Sequence, residues 1–343
     1  MAGSHVFRLG QLKPQFASEL GSRAAVNQEN FPILKGMSLY RLLLNEGAFR
    51  EPHWHPNANE LGYCLKGSLL VTIFGNGNER SSFTIDAGDM FFVPSGFVHA
   101  IENVGRSSAE VYVCFSHERP EDFGMSGSVG CMSLEVMGNT WGLKADELSG
   151  LWRSAQDIVI GKTAEPAKIT DFERQGSPYK FSVEAQTPPG INTPYGGAKL
   201  AREATWPALK KLSMFSLRIK GTGMREPHWH PETAEMGYVI DGRARMTVRG
   251  PLSEVETYTL EAGDMYFIPR AYPHHIENLG DDTTHFLVFF DQATGGDIGY
   301  TGGLSAFPSR IVMPTITAPG AAVPALPSTP DDLLVVEKTN PVV

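Results

Sequence analysis

The sequence has few of the residues that specify disulfide-stabilised, membrane-spanning or nucleic-acid-binding proteins. Only three of its 343 residues are cysteines, and no two lie close together, so a disulfide framework is not indicated. No apolar run approaches the roughly 20 residues of a membrane-spanning helix, and the N-terminus lacks a basic segment followed by an apolar one. The formal net charge of −9 argues against nucleic acid as a partner. We therefore expect a soluble cytoplasmic protein with no membrane or nucleic-acid partner, although a small anionic substrate remains compatible with this composition.

An internal repeat organises the chain. The segment REPHWHPNANELGY (50–63) recurs 175 residues later as REPHWHPETAEMGY (225–238). At the same shift AGDMFFVPSGFVHAIENVG (87–105) matches AGDMYFIPRAYPHHIENLG (262–280), with no gap between the two blocks. A period this long indicates duplicated domains, because solenoid units are shorter. We predict an N-terminal domain over 1–165, a C-terminal domain over 166–312 and a Pro- and Ala-rich tail over 313–343.

Each half is rich in short strand signals. GSLLVTIFG (67–75) is bracketed by glycines, and DMFFVP (89–94) follows a tight turn and ends at a proline, which cannot donate to a sheet. The pattern predicts an all-β fold with an antiparallel sandwich or small barrel in each half. Residues 143–160 are expected to be helical because their apolar residues recur at helical spacing, and the tail is expected to be extended.

The repeated blocks carry four residues of the types that bind metals. Side chains alternate along a strand, so His53 and His55 are expected to face the same side. Glu60 follows after a space that allows a return on the neighbouring strand, and His99 follows a Pro-Ser-Gly turn. Three imidazoles and one carboxylate suit a divalent transition metal.

The second half has the same set at identical spacings, namely His228, His230, Glu235 and His274. The alternative is that these are core histidines with ordinary hydrogen-bond partners. That alternative would have to account for the same four residues at the same spacing twice, so a metal site in each half is favoured. His275 is expected to face the opposite side.

These motifs resemble those of the cupin superfamily, in particular the bicupins related to oxalate decarboxylase and the plant germins. Residues 47–67 match the motif Gly-x5-His-x-His-x4-Glu-x6-Gly, and residues 88–103 match Gly-x5-Pro-x-Gly-x2-His-x3-Asn. In the second half Thr222 and Ala271 replace two glycines of the motifs, which affects turns and not ligands. The resemblance implies a double-stranded β-helix, or jelly-roll barrel, in each domain.

The resemblance also implies a cofactor and a substrate. It implies two divalent metal ions per chain, with manganese expected and iron, cobalt or nickel also suited to the ligands, and dioxygen as a co-substrate. The expected substrate is a small anionic carboxylate such as oxalate, decarboxylated to formate and CO2. Arg50 and Arg225 stand where the decarboxylases carry an arginine that binds the substrate carboxylate. Self-association into a homo-oligomer is implied as well.

A mobile lid in the decarboxylases carries the carboxylate that accepts and returns a proton. The decarboxylase lid reads Ser-Glu-Asn-Ser-Thr, whereas this chain has PEDFGMSGS (120–128). Glu121 and Asp122 are therefore the candidate proton carriers. Because DFGMSG recurs as DIGYTG (297–302), Asp122 is equally suited to a structural turn. Glu121 has no acidic counterpart in the second half, which favours turnover in the first.

Three other functions fit the same sequence. The missing lid sequence fits an oxidase that converts oxalate to CO2 and hydrogen peroxide. A storage or metal-binding bicupin would keep all eight ligands without a lid acid. A cupin isomerase or dioxygenase would act on a larger metabolite, for which Gly62, Gly237 and Cys64 would leave space.

Overall fold

The computed structural model describes residues 5–331 and 333–340. Its chain forms two compact units. The first comprises Leu12–Ala185 and Trp206–Lys210, and the second comprises the described parts of Met1–Gln11, Gln186–Thr205 and Lys211–Val343.

The strands between the N-terminus and Ala185 are short and separated by turns, and all of them except β1 belong to the first unit. In chain order they are β1 (Val6–Phe7), β2 (Phe16–Ser18), β3 (Gly21–Val26), β4 (Ser38–Leu44), β5 (Ala48–Trp54), β6 (Glu60–Lys66), β7 (Ser68–Phe74), β8 (Arg80–Asp86), β9 (Met90–Val93), β10 (Val98–Asn103), β11 (Ala109–Phe115), β12 (Phe123–Gly124), β13 (Ile160–Lys162) and β14 (Lys180–Phe181).

The remaining strands have similar lengths in the same order. They are β15 (Ile191–Thr193), β16 (Gly196–Ala201), β17 (Ser213–Ile219), β18 (Gly223–Trp229), β19 (Glu235–Asp241), β20 (Arg243–Arg249), β21 (Val255–Glu261), β22 (Met265–Ile268), β23 (His274–Asn278), β24 (Thr284–Phe290), β25 (Ile298–Gly299) and β26 (Val335–Glu337). The α-helices are α1 (Met125–Gly130), α2 (Leu134–Trp141), α3 (Asp171–Arg174), α4 (Tyr300–Ser305) and α5 (Ser309–Ile316).

The first unit consists of two antiparallel sheets around one core. One has the strand order β14-β9-β6-β11-β4-β3-β2, and the other has the order β12-β5-β10-β7-β8 with β13 also paired to β5. The core between them takes alternate residues from both sheets, including Leu42, Val71, Phe83 and Val111, all nearly inaccessible to solvent.

The second unit repeats this arrangement. Its sheets have the orders β1-β22-β19-β24-β17-β16-β15 and β21-β20-β23-β18-β25, with β26 also paired to β18. Its core includes Leu217, Met246, Leu260 and Val288. The all-β prediction of two duplicated jelly rolls is confirmed, with sheets that stay open and do not close into barrels.

The helix predicted over 143–160 is wrong. The helices α1 and α2 lie before it, and within the segment only Ala145–Leu148 forms a 3-10 turn. The apolar residues do not form one packed face, since Leu148 is buried whereas Trp152 is 56% exposed. The segment instead runs back along α1, because the carboxylate of Asp157 accepts hydrogen bonds from the amides of Gly124 and Gly127 at 2.9 and 3.2 Å.

The described residues at both ends of the chain belong to the second unit. β1, near the N-terminus, pairs with β22 of the second unit. The predicted tail begins inside α5 and returns as β26, which pairs with β18 as β13 pairs with β5. The repeat therefore extends into the predicted tail, because both sheets need this returning strand. Within the described chain, every helix is too short or too polar to cross a bilayer.

Candidate metal centres

The eight predicted ligands lie in two clusters, one in each unit. His53, His55, Glu60 and His99 form the first, and all four are buried. Their potential ligand atoms lie within 4.8 Å of one another. The equivalent residues His228, His230, Glu235 and His274 form the second, within the same limit.

Hydrogen bonds fix the orientation of the imidazoles in the first cluster. Nδ1 of His53 lies 2.7 Å from the carbonyl oxygen of Glu51, Nδ1 of His55 lies 2.7 Å from that of Glu121, and Nδ1 of His99 lies 3.1 Å from that of Phe97. Since a carbonyl oxygen can only accept, each Nδ1 carries the hydrogen and each Nε2 offers a lone pair to the centre. Second-cluster histidines have the same arrangement, with carbonyl partners in Glu226, Gly296 and Tyr272.

The centre of the first cluster fits a cation. Oε2 of Glu60 lies 2.9 Å from Nε2 of His99 and 3.1 Å from Nε2 of His55. A lone pair facing a carboxylate oxygen is repulsive unless a positive charge lies between them. Burial lowers the pKa of His53 well below its ordinary value, with the charge of Arg50 adding to the effect, so this imidazole is neutral as a metal ligand requires.

The second cluster fits a cation for the same reasons. Nε2 of His228 is buried and has no hydrogen-bond partner among the described residues. Burial, reinforced by Arg225, lowers the pKa of His228 well below its ordinary value. Three imidazole nitrogens and one carboxylate in each unit form a donor set suited to a divalent transition metal.

A bulge in β5 turns Arg50 toward the same cavity as the histidines. Arg50 lies three positions before His53, so regular alternation would place the two side chains on opposite faces. The pairing with β10 shifts here, because His99 opposes His53 whereas Ile101 opposes Arg50. The equivalent shift in β18 places Arg225. A bulge redirects one side chain without ending the strand.

The carboxylate of Asp122 forms an ion pair with the guanidinium of Arg50. Nη2 of Arg50 lies 2.6 Å from Oδ1 and 2.5 Å from Oδ2 of Asp122, and Nη1 of Arg23 lies 2.5 Å from the same Oδ2. Burial acts to raise the pKa of Asp122, but the charges of Arg50, His55 and Arg23 together lower it. The carboxylate is therefore ionised and bound where an anionic substrate would be expected.

Asp297 has the corresponding position in the second unit, with a different set of partners. It forms an ion pair with Arg225, and its Oδ1 lies 2.7 Å from Nδ1 of His230. Burial acts to raise the pKa of Asp297, but Arg225 and His230 lower it. Burial acts to lower the pKa of His230, yet Asp297 and Glu235 raise it to about 9.

Comparisons with known proteins identify the family. The cupin family model matches residues 7–148 and 182–315, which is most of the chain. The protein is a cupin. Because the model matches twice, it is a bicupin, as the sequence motifs predict.

Its relatives include decarboxylases and oxidases. The cupin is 28% identical over 299 residues to oxalate decarboxylase OxdC of Bacillus subtilis, spanning 85% of this chain and 77% of that protein. It is 25% identical over 352 residues to an oxalate decarboxylase of Arthroderma benhamiae. It is 39% identical to oxalate oxidase GF-2.8 of Triticum aestivum over 88 residues, 25% of this chain and 39% of that protein.

Solved structures agree with the fold. The structure of oxalate decarboxylase from Bacillus subtilis at pH 4.6 matches with a TM-score of 0.87 over 99% of this chain and 89% of that one, at 24% identity. The likeness supports the bicupin architecture.

Glu121 does not reach the cavity of the first cupin domain. Its side chain is exposed, and the contacts it makes are through its backbone, whose carbonyl accepts from His55 and whose amide donates to Asn57 at 2.9 Å. Of the two acidic residues predicted as proton carriers, the structure brings only Asp122 to the cavity.

Glu51 and Glu226 are buried carboxylates that the sequence analysis missed. Oε1 of Glu51 accepts from the amide of Val159 at 2.7 Å, and Oε2 accepts from the amide of Ser126 at 3.0 Å. Glu226 accepts from Leu333 and from the hydroxyl of Thr301 in the second domain. These glutamates anchor the segment after the acid Asp122 or Asp297. Their recurrence inside the repeated REPHWHP was the signal that could have revealed them.

The two cavities differ at positions that are 175 residues apart. The first, about 20 Å³, is lined by Arg23, Tyr40 and Asp122 as well as by cluster residues. The second, about 10 Å³, has Phe215 in place of Tyr40. Each cavity is therefore about the size of a water molecule while the aspartate is in place.

Gly62 and Gly237 do not enlarge the cavities, contrary to expectation. A Cβ at Gly62 would lie 2.0 Å from the ring of Phe91, and one at Gly237 would lie 2.1 Å from the ring of Tyr266. Aromatic rings fill the space that these glycines leave, and Cys64 is buried in the core. A large metabolite is not favoured by these residues.

Proposed function

We propose that this bicupin is a metal-dependent enzyme that decarboxylates oxalate, or a similarly small carboxylate, to formate and CO2. The observation that carries the proposal is the contact of Arg50 with the carboxylate of Asp122 inside the cavity lined by the first metal cluster. That contact supports a role for Arg50 in binding a carboxylate beside the proposed metal. The relationship to oxalate decarboxylases over 85% of the chain supports oxalate as the substrate.

The two clusters are the proposed metal sites. His53, His55, Glu60 and His99 would bind one ion, and His228, His230, Glu235 and His274 the other. Manganese is the expected ion, since a solved relative is described by its Mn(II) centres, although iron, cobalt and nickel suit the same donors. The bound metal would supply one-electron redox chemistry, with dioxygen as a partner that decarboxylation would not consume.

Arg50 would bind the substrate carboxylate, and Asp122 would transfer the proton. Oxalate would take the place of the Asp122 carboxylate on Arg50, because the cavity is too small to hold both. Once released from the guanidinium charges, Asp122 would recover a higher proton affinity beside the bound substrate. It could then accept the proton of hydrogen oxalate and return it to carbon after the C–C bond breaks.

This sequence of steps balances without an external reductant. Hydrogen oxalate contains the two carbons, four oxygens and one hydrogen of formate and CO2 together. One carbon is oxidised to CO2 while the other is reduced to the formate carbon. Asp122 ends in its starting protonation state.

Oxalate oxidation is the second candidate, favoured by the 39% identity to the wheat oxidase and by the absent serine-rich lid. Its products would be two CO2 and one hydrogen peroxide per oxalate and dioxygen.

An assay of the manganese-loaded protein for formate, peroxide and remaining oxalate tests the proposal. One formate per oxalate without peroxide supports decarboxylation, whereas peroxide without formate supports oxidation. Unchanged oxalate in protein with both metals bound would support a storage role and refute both.

A further inference from the structure

Arg23 is a cation that belongs to the first site alone. It lies on β3 and pairs with Leu42 of β4. The residue 175 positions later is Ala198, which pairs with Leu217, the equivalent of Leu42. The two positions are therefore structurally equivalent, and the second site has a methyl group where the first has a guanidinium.

The side chain of Arg23 reaches the catalytic cavity. It lines the same cavity as His53, His55 and Glu60, although its backbone lies on the opposite sheet from β5. Its Nη1 contacts Oδ2 of Asp122, whereas its Nε is buried without a hydrogen-bond partner among the described residues. Because this nitrogen lies beside the cavity, it is available to donate a hydrogen bond to an anion bound there.

Holding Asp122 does not by itself explain Arg23. Arg50 alone already contacts both oxygens of that carboxylate. In the second site Asp297 pairs with Arg225 although Ala198 replaces Arg23. The aspartate therefore reaches its arginine in either domain without a second guanidinium.

The charges in the two sites differ accordingly. The first site has two guanidiniums around one carboxylate, which leaves an excess positive charge for an incoming anion. The second has one guanidinium for Asp297, which also contacts His230. An anion that displaces the aspartate gains two charge-assisted contacts in the first site and one in the second.

We propose that Arg23 is a substrate-binding residue of the first site, which binds one carboxylate of a small dicarboxylate together with Arg50 and confines tight binding to that site. The inference rests on the proposed function, since it takes oxalate as the ligand. Because a charge-assisted hydrogen bond would be lost, the removal of Arg23 should weaken oxalate binding by about tenfold or more.

Calorimetric titration with potassium oxalate tests this in the full, manganese-loaded chain without dioxygen, where turnover does not interfere. We expect one oxalate per chain to bind tightly to the unaltered protein. Arg23→Ala should weaken that event at least tenfold with both metals retained. Arg106→Ala, which removes an exposed arginine, is the matched control and should leave it unchanged. If Arg23 served only to hold Asp122, Arg23→Ala would free the site and binding would strengthen or stay the same, which would overturn the inference.

The Asp122→Asn variant distinguishes direct binding of oxalate by Arg23 from an effect of Arg23 on Asp122. Without the competing carboxylate, oxalate should bind more tightly, and Arg23→Ala should still weaken binding about tenfold. No effect of Arg23→Ala in that background would mean that Arg23 acts only through Asp122, and the inference would fail while the proposed function stands. No binding of oxalate to the unaltered, metal-loaded protein would refute the proposed function itself.

Discussion

The hydroxyl of Tyr266 donates a hydrogen bond of 2.6 Å to Oε1 of Glu235, whose Oε2 faces the imidazoles of His230 and His274. The equivalent of Tyr266 in the first domain is Phe91, which has no hydroxyl. The two metal ligands Glu60 and Glu235 are therefore held differently.

Tyr266→Phe should loosen the second metal site alone. Outer partners of metal ligands typically contribute about 10–100-fold to affinity, because they orient the ligand. We expect the Mn²⁺ affinity of one of the two sites to fall within this range, as measured by titration of metal-free protein followed by electron paramagnetic resonance. Tyr300→Phe, at a partly exposed tyrosine, is the control. Equal affinities before and after Tyr266→Phe would contradict an orienting role for the hydroxyl.

Removing two imidazoles should empty one metal site and leave the other. Elemental analysis of protein prepared with manganese should give about two ions per chain, one for each cluster. The double change of His53 and His55 to alanine should reduce this to about one. His275→Ala is a suitable control, since its ring contacts Glu277 and lies outside the cluster. A well-folded unaltered protein with almost no metal would rule out both sites.

Asp122→Asn should abolish formate production while both metals remain bound. A positioned general acid or base typically contributes about 10²–10⁴-fold, and the amide cannot carry the proton. Glu121→Gln is the matched control, because the side chain of Glu121 is exposed and we expect activity close to that of the unaltered enzyme. The opposite pattern, with Glu121 essential and Asp122 dispensable, would require a rearrangement of this segment during turnover.

The ion pairs of Asp122 should also give a pH-dependent contribution to stability. The pKa of this carboxyl is lowered in the folded protein, so its stabilisation is fully present above the ordinary value of about 3.9 and is lost as pH falls through the lowered one. Asp122→Asn should therefore lower the free energy of unfolding by about 1–3 kcal/mol near neutral pH. Urea unfolding at a series of pH values should show the difference shrinking in acid. If the difference in unfolding free energy persists unchanged in acid, its cause is not the ionisation of Asp122. Asp146→Asn, at an exposed aspartate, is the control and should change the unfolding free energy little at any pH.

The sequence by itself determined the duplication, the all-β class and the membership of both metal clusters. These depend on short-range regularities, namely a constant shift of 175 residues and the alternation of side chains along a strand, which places His53 and His55 together. The tertiary structure decided where the charges lie. Arg50 faces the cavity because of a bulge that breaks the alternation, and Pro52 lies within the bulged strand.

Long-range packing also decided which residues complete each site. Arg23 reaches Asp122 from a strand of the opposite sheet, and no spacing in the sequence connects them. Adjacent residues can also lie in different environments, since Asp122 contacts Arg50 in the cavity whereas Glu121 is exposed. The segment predicted as a helix over 143–160 is mostly irregular for the same reason, because Asp157 accepts hydrogen bonds from the amides of Gly124 and Gly127. Periodicity determines the face on which a side chain lies, whereas the partner that it meets there depends on the packing of distant strands.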